Sequence, residues 1–268
     1  MLYLFIFIIC INIFNTNTSK IDNKIIIALT SNYKDIGKTN QIINSILQQN
    51  LNDDLYQISL FLSLNEYKHI YDLPDTIKKL VNNHKIIVLF IKEKITDQNR
   101  LLIVMKKYKN RTILVVNNKC LLPGGWLEMF INDHKKYPND AIVGSIQYHF
   151  GSNGEIKEFS EGFKGEKFGT FNHVPEMIFN FALINVDLGG ILYPKNFFNN
   201  SSFYDQGTIF KTLINSEDFW QSAFIIMEDK NLRQSSKIFD YTKYLLNEIN
   251  FKEYFMNKKK ILEKDKLN

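Results

Sequence analysis

Glycine, cysteine and proline are scarce in this sequence, and their scarcity excludes several classes of protein. Gly37 is the only glycine before Gly124, so the first half of the chain holds neither a G-x-G-x-x-G dinucleotide fingerprint nor a Walker loop. Cys10 and Cys120 are the only cysteines, too few for a disulfide framework. No G-x-S-x-G elbow is present. With only 5 prolines among 268 residues, the chain is not of a low-complexity or disordered type.

The distribution of charge and of histidine argues against two further classes, nucleic-acid-binding proteins and zinc proteins. The 33 Lys and Arg exceed the 28 Asp and Glu by only five, and both signs are interspersed. A nucleic-acid binder normally concentrates its basic residues in a stripe, so we predict no nucleic-acid partner. The 5 histidines show no paired spacing for zinc, and we interpret them as surface or packing residues. At 45% hydrophobic residues, the chain can bury a sizeable core.

The longest apolar run lies at the amino terminus. Residues 1–14 read MLYLFIFIICINIF, interrupted only by Asn12, and a polar segment follows. Because a membrane-spanning helix needs about 20 apolar residues, the run fits a signal peptide or short signal anchor over residues 1–18 better. A first buried strand is the alternative, although strands rarely exceed about ten residues.

The signal interpretation predicts the secretory pathway as the location, either its lumen or the cell surface. An uncleaved segment would associate the chain with a membrane through residues 1–14. Four Asn-x-Ser/Thr triplets then become glycosylation acceptors. These triplets begin at Asn17, Asn110, Asn199 and Asn200.

After this leader, β-rich runs alternate with helical patterns. Such alternation over some 120 residues predicts an α/β fold with a mostly parallel sheet flanked by helices. The predicted strands are KIIIALT (24–30), LYQISLFLS (55–63), KIIVLF (85–90), RTILVV (111–116) and AIVGS (141–145). The predicted helices cover 36–49, 73–81, 100–108 and 126–134.

The second half of the chain has a different character. Six of the 12 glycines fall between Gly144 and Gly169 without sustained periodicity, which predicts long loops over a surface or a site. Order returns in 181–194 and in a predicted helix over 217–229. We therefore expect one domain over 24–230, followed by a Lys-rich helical tail over 231–268 with a solvated charged face.

Four landmarks along the chain occur in the order found in one known family. They are Thr30-Ser31 with Tyr33 after the first strand, VVNNKCLLPGGWLEMF (115–130) at the fourth, GGILYP (189–194), and Glu217-Asp218 followed by Phe219-Trp220. In this order and spacing, the sequence resembles nucleotide-sugar glycosyltransferases of the GT-A fold, in particular the inverting, family-two-like group.

The resemblance implies a GT-A-like fold and transfer of a sugar from a nucleotide-sugar donor to a glycan or other hydroxyl acceptor. It assigns Asp218 as the base that deprotonates the acceptor, with Glu217 beside it to orient that acceptor. We expect Asp218 at the mouth of a pocket that also contains Thr30, Asn118 and Gly190. The implied nucleotide-sugar-binding residues are Thr30, Ser31, Tyr33, Arg100, Asn117, Asn118, Lys119, Gly189 and Gly190.

The acidic cluster of the family, the DxD motif, is degenerate here. Relatives carry two or three aspartates where this chain has Asn117-Asn118-Lys119. Asparagine lacks the charge that makes a hard cation bind tightly, and lysine repels one. The triplet therefore disfavours a divalent metal, and we predict no cofactor, with Lys119 and Arg100 replacing the cation.

Three accounts fit this loss of acidic ligands. The chain is a metal-independent transferase, a catalytically silent homologue that binds a nucleotide, a glycan or a partner, or a surface-interaction protein that kept only the fold. Taken singly, each landmark also has a structural explanation: Thr30-Ser31 can start a turn, and Glu217-Asp218 can be ordinary first-turn acids of a helix. The order of the whole set favours the transferase.

The leader gives the first testable prediction. A chain beginning at Ser19 should fold as stably as the full chain, because a signal segment is not part of the folded domain. Circular dichroism and thermal unfolding of the two chains test this. An insoluble short chain beside a well-packed full chain, with Leu4 and Ile8 in its core, would show the signal interpretation to be wrong.

Overall fold

A computed structural model gives the architecture of the chain. It describes residues 24–49, 51–96, 99–144, 189–199 and 201–205. Between 145 and 188 it describes the backbone of four short strands, and towards the carboxyl end it describes 221, 224–225, 227–237, 239, 244 and 246. The predicted signal segment and most of the predicted tail lie outside the described residues.

The described strands and helices follow one another in an α/β order. The strands are β1 (Ile25–Ser31), β2 (Tyr56–Ser63), β3 (Ile86–Ile91), β4 (Ile113–Val116), β5 (Ala141–Val143), β6 (Ile146–Phe150), β7 (Ile156–Glu158), β8 (Ile178–Phe179), β9 (Leu183–Asn185), β10 (Ile191–Tyr193) and β11 (Leu232–Gln234). The helices are α1 (Ile36–Leu47), α2 (Asp75–Asn82), α3 (Arg100–Tyr108) and α4 (Trp126–Lys136). Two short 3₁₀ helices cover Ile70–Asp72 and Ser201–Tyr204.

Eight of these strands form the main sheet, in the order β3-β2-β1-β4-β10-β5-β11-β8. The four strands β3, β2, β1 and β4 are mutually parallel, and β11 is parallel to β5. The two short strands β10 and β8 run against their neighbours. The mostly parallel sheet flanked by helices is therefore confirmed. Its central strands are continuous apolar runs because both of their faces are buried.

Helices cover the two faces of the sheet. Ile27 and Leu29 of β1 belong to one core cluster with the apolar residues of α1 and α4, whereas Ala28 belongs to the other with those of α3. This alternation is the period of two that a strand imposes. Trp126 and Phe130 are fully buried in the first cluster, with ring centroids 5.4 Å apart. The five strand runs and the four helices predicted in the first half of the chain each match an observed element.

The glycine-rich region differs from the prediction. Long loops were expected after Gly144, but β6, β7 and β9 form a separate three-stranded antiparallel sheet there. IQYHF (146–150) alternates apolar and polar residues, which favours a strand. The segment is short, however, and the glycines around it favour a loop, so the sequence pattern alone did not predict the strand.

The main sheet also extends beyond the predicted boundary at residue 230. Strand β11 pairs with β5, and its Arg233 donates two hydrogen bonds to the buried carboxylate of Asp140, from Nε at 2.9 Å and from an Nη at 2.7 Å. The segment LRQ shows no apolar alternation. A buried charge pair of this kind needs its distant partner, so no local pattern predicts the strand. In the predicted helix over 217–229, the described residues 221, 224, 225 and 227 are helical, and 228–229 form a turn.

Within the part of the chain that the structure describes, no helix has the length and apolar character to cross a bilayer. The apolar run over residues 1–14 falls outside that part.

The Gly189-Gly190 turn leads the chain into β10, between β4 and β5. Both glycines have a positive φ, 82° and 80°, a conformation that side chains disfavour. A Cβ on Gly190 would lie 2.7 Å from the carbonyl oxygen of Val115. The Trp126 indole N–H donates to the Gly189 carbonyl at 2.8 Å, and the Gly144 N–H donates to the Gly190 carbonyl at 2.9 Å. Two landmarks that are distant in sequence, the Trp126 motif and the glycine pair, are thus joined by a hydrogen bond.

This turn generates the second prediction. Replacing Gly190 by Ala should lower the free energy of unfolding by about 1–3 kcal/mol, because the new Cβ meets a backbone oxygen at a positive φ. Urea denaturation measures the difference. Gly37→Ala is the matched control: a Cβ there meets nothing within 4 Å, and in a helix alanine is favoured over glycine by about 0.5–1 kcal/mol. Equal effects at both positions would contradict the steric account.

Candidate functional site

A pocket of about 300 Å³ opens at the carboxyl ends of β1 and β4. The chain runs from β1 to β2 on one side and reaches β4 on the other, so this crevice is the topological switch point of the sheet. Open α/β sheets bind their ligands at such points. The pocket is lined by Thr30, Ser31, Asn32, Asp35, Lys38, Ile95, Thr96, Arg100, Asn118, Lys119 and Leu246.

The loop after β1 forms one wall and is fixed by its own polar side chains. The Asn32 side-chain oxygen accepts the Asp35 backbone N–H at 2.9 Å, and the Asn32 amide donates to the Asp35 carboxylate at 2.9 Å. At the base of the loop, the Thr39 hydroxyl donates to the Ser31 hydroxyl at 2.8 Å. These bonds hold Ser31 and Asp35 in place at the start of α1.

Positive charge dominates the wall of the pocket. Among the described lining residues, three carry basic side chains, Lys38, Arg100 and Lys119, and one, Asp35, carries a carboxylate. The Lys38 ammonium lies 3.1 Å from that carboxylate. Arg100 is the first residue of α3 and is only 6% exposed. A cleft whose walls carry an excess of positive charge attracts anionic ligands.

The Asp35 carboxylate is stabilised in its charged form. Partial burial alone raises the pKa of Asp35, but hydrogen bonds from Lys38, Asn32 and Asn118, together with the charge of Lys38, outweigh it. The net pKa therefore lies below the ordinary value of 3.8. The carboxylate is ionised at neutral pH, and much of its charge is compensated by Lys38.

The loop after β4 forms the opposite wall, together with residues from the carboxyl-terminal segment. The Asn117 side-chain oxygen accepts the Lys119 backbone N–H at 3.0 Å. The Lys119 carbonyl accepts the Leu246 N–H at 3.0 Å, and the Leu121 N–H donates to the Tyr244 carbonyl at 2.8 Å. The carboxyl-terminal segment is thus bridged to this loop, and Leu246 contributes an apolar surface to the pocket.

Five residues predicted to bind a nucleotide sugar line this one pocket. They are Thr30, Ser31, Arg100, Asn118 and Lys119. Asn117 and Gly190 line a smaller adjoining cavity, which shares Arg100 with the pocket. Gly189 lies in the turn that is bonded to Trp126.

The other predicted residues are placed elsewhere or are not described. Tyr33 is absent from the lining of the pocket: it is 70% exposed, its backbone N–H donates to Glu66 at 2.8 Å, and its ring lies 5.9 Å from that of Tyr67. Glu217 and Asp218 lie outside the described residues, so the expected position of Asp218 at the pocket mouth stays a prediction.

Sequence reasoning missed several residues of the pocket wall. Asp35 and Lys38 carry a weak local signal, because an acid and a base three residues apart at a helix start commonly pair. Asn32 and Thr96 carry none beyond ordinary loop polarity. Leu246 could not be found from the sequence, because only the backbone bridge to Lys119 brings it to the pocket.

The described residues do not provide the ligand set of a hard divalent cation. Asp35 is the single carboxylate among the described lining residues, and it already binds Lys38 and Asn32. Within the described ranges, no group of three His, Cys, Asp or Glu side chains could hold a metal ion. Magnesium and calcium favour several oxygen ligands that include carboxylates. Two further acidic residues, Asp187 before the glycine pair and Asp218 of the fourth landmark, belong to segments that the structure does not describe.

Comparison with solved structures places the fold. S. aureus TarS 1–349 matches with a TM-score of 0.51 and 11% identity, over 83% of this chain and 59% of that one. GalNAc-T7, solved with UDP, GalNAc and Mn²⁺, matches with a TM-score of 0.53 and 12% identity, over 80% of this chain and 42% of that one. The chain thus resembles glycosyltransferases of the GT-A type, and its GT-A-like fold is confirmed. It spans little more than half of TarS 1–349 and less than half of GalNAc-T7. No protein-family model matches the chain, and no curated protein does.

The Asp35 environment generates the third prediction. Replacing Asp35 by Asn should cost about 0.5–1 kcal/mol of unfolding free energy at neutral pH, because it removes a charge that pairs with Lys38 near a helix N-terminus. Since the folded-state pKa is lowered, this contribution is complete above the unfolded value near 3.8 and is lost as the pH falls through the folded value. Urea denaturation of both proteins from about pH 7 to about pH 2.5 should show the gap closing at the acid end. A gap that stays constant with pH would refute this account.

Proposed function

We propose that the pocket binds the diphosphate of a nucleotide-sugar donor through basic side chains, and that the protein transfers the sugar to a hydroxyl group of a glycan or other acceptor. The observation that carries the proposal is the gathering of Lys38, Arg100 and Lys119 at the switch point of a GT-A-like sheet. The ligands in the GalNAc-T7 structure, UDP and GalNAc, support the same class of donor. For this chain we propose metal-independent transfer.

The chemistry requires positive charge at the leaving group. In glycosyl transfer the acceptor oxygen bonds to the anomeric carbon while the bond from that carbon to the phosphate oxygen breaks, so negative charge builds on the diphosphate. One unit charge pair about 4 Å apart at an effective dielectric of 20 is worth roughly 4 kcal/mol. Lys119 supplies one of the two charges that a divalent ion would bring. Arg100 supplies the second, and Lys38, whose charge is shared with Asp35, adds to both.

The remaining roles are proposed from the resemblance and from position. Thr30 and Ser31 end β1 at the pocket and would contact the nucleotide. Asp218 would take the proton of the acceptor hydroxyl, and Glu217 would orient that acceptor. The apolar run over residues 1–14 leads us to propose the secretory pathway as the site of the reaction.

Thermal-shift measurements with UDP-, GDP- and CDP-sugars test the donor class, because a ligand that binds the folded state raises the melting temperature. At least one sugar nucleotide should raise it, equally with EDTA and with Mn²⁺. If the wild type binds none under either condition, the transferase proposal fails and the silent homologue takes its place. Strict dependence on Mn²⁺ would show that residues outside the described ranges rebuild a metal site.

Lys119 gives the fourth prediction. Lys119→Ala should weaken, by about 10- to 150-fold, the binding of the nucleotide sugar that raises the melting temperature. This is the range expected for one charged hydrogen bond of about 1.5–3 kcal/mol. The melting temperature of the ligand-free protein should change little, because the side chain is half-exposed. Isothermal titration calorimetry measures the affinities.

Lys195→Ala is the matched control. Lys195 is exposed and follows β10, which runs antiparallel to β4, so it lies at the edge of the sheet away from the pocket. This variant should bind like the wild type. Equal losses for the two variants would indicate nonspecific attraction by net charge and would refute the assigned role of Lys119.

A further inference from the structure

A second cavity adjoins the pocket at Arg100, which lines both spaces. It lies between the end of β4, the start of β10 and Gln221, and its volume is about 10 Å³. That is room for one group the size of a water molecule. Asn117, Gly190 and Gln221 are among its lining residues.

Asn117 brings an unpartnered donor to this cavity. The residue is only 6% exposed, and its side-chain oxygen accepts the Lys119 backbone N–H at 3.0 Å. Only the oxygen of an amide can accept that bond, so the orientation of the group is fixed. The Nδ2 atom is buried and has no hydrogen-bond partner among the described residues.

Gln221 brings an unpartnered acceptor from a different element. It is 4% exposed, and its Oε1 atom is buried without a hydrogen-bond partner in the part of the chain that the structure describes. Buried polar atoms are nearly always paired, so each exception calls for an explanation. Asn117 Nδ2, a donor, and Gln221 Oε1, an acceptor, belong to two residues that line the same cavity, and they share one explanation if a single group pairs with both.

We propose that this cavity is a subsite for one hydroxyl group of the transferred sugar. The hydroxyl oxygen accepts from Asn117 Nδ2, and the hydroxyl hydrogen is donated to Gln221 Oε1. A hydroxyl both donates and accepts, whereas an ether or a carbonyl oxygen would satisfy only Asn117. The inference rests on the proposed function, with the diphosphate on one side of Arg100 and the sugar on the other.

The consequence is selectivity for the sugar. A site built to hydrogen-bond a hydroxyl rejects a ligand that lacks it far more strongly than an apolar pocket rejects a missing methylene. The nucleotide sugar should therefore bind more tightly than the nucleoside diphosphate alone, and the difference should depend on Asn117 and Gln221.

Calorimetry with matched ligands tests the proposal. Each nucleoside diphosphate is compared with its own sugar conjugates. UDP is compared with UDP-glucose and UDP-galactose, GDP with GDP-mannose, and CDP with CDP-glucose. For the wild type, one sugar nucleotide should bind at least about tenfold more tightly than its diphosphate. Gln221→Met, which keeps the length of the side chain and removes the acceptor, should reduce that ratio to about one. Asn117→Ser, which keeps an oxygen for the Lys119 N–H but removes Nδ2, should do the same.

Asn40→Asp is the matched control, because Asn40 also carries a buried, unpartnered side-chain oxygen but lies on α1, away from this cavity. It should keep the wild-type ratio. The ligand-free melting temperature of Gln221→Met should stay within about 4 °C of the wild type, since the Oε1 atom that the substitution removes has no hydrogen-bond partner among the described residues.

The outcomes separate this inference from the proposed function. A wild type that binds a diphosphate and its sugar conjugate equally, or a Gln221→Met variant that keeps the ratio, overturns the subsite and leaves diphosphate binding intact. A large fall in melting temperature for Gln221→Met with an unchanged ratio identifies a structural water site and also overturns it. A wild type that binds none of the probes overturns both.

Discussion

The pairing of β1 with β2 on one side and β4 on the other is the constraint on which the rest of the structure depends. β1 is an almost pure run of apolar residues, and it can be buried on both faces only between two parallel neighbours with helices above and below. Parallel neighbours end at the same edge of a sheet. The burial of Ile26 and Ile27 thereby places the ends of β1 and β4 side by side, where Ser31 and Asn118 line the same pocket.

The sequence predicts those parts of the fold that local patterns encode. The strand at 25–31 and the helix at 100–108 are continuous or periodic apolar segments, and both match the prediction to within a residue. The strand at 232–234 could not be predicted, because Arg233 is stabilised by Asp140, 93 positions earlier in the chain. The residues of the candidate site divide in the same way, into those that a local pattern predicts and those that depend on distant contacts. Thr30 ends one predicted strand and Lys119 lies in the loop after another, whereas Leu246 reaches the pocket through a backbone bridge that has no sequence pattern.

The degenerate acidic motif acquires a structural meaning in this arrangement. Asn117 uses its oxygen to fix the Lys119 backbone, which an aspartate could also do, but its amide nitrogen adds a donor that an aspartate lacks. Asn118 donates to Asp35 and helps to keep that carboxylate charged. The triplet thus belongs to a network of neutral donors and basic side chains. Restoring one aspartate would place a second negative charge in this network, beside that of Asp35.

Strand β10 has a consequence for how the chain can fold. It is the antiparallel strand between β4 and β5, and its Tyr193 pairs with Ile113 of β4. The other edge of β5 is paired only when β11 is present, where Gln234 pairs with Val143. Contacts between such distant residues carry a large loop-closure entropy and form late. The segment 24–116 can assemble its four parallel strands first, and during synthesis the edge of β4 stays open until residue 193 has emerged. An open edge of apolar residues is a template for wrong pairing, so the assembly of this protein is most exposed to aggregation in that interval.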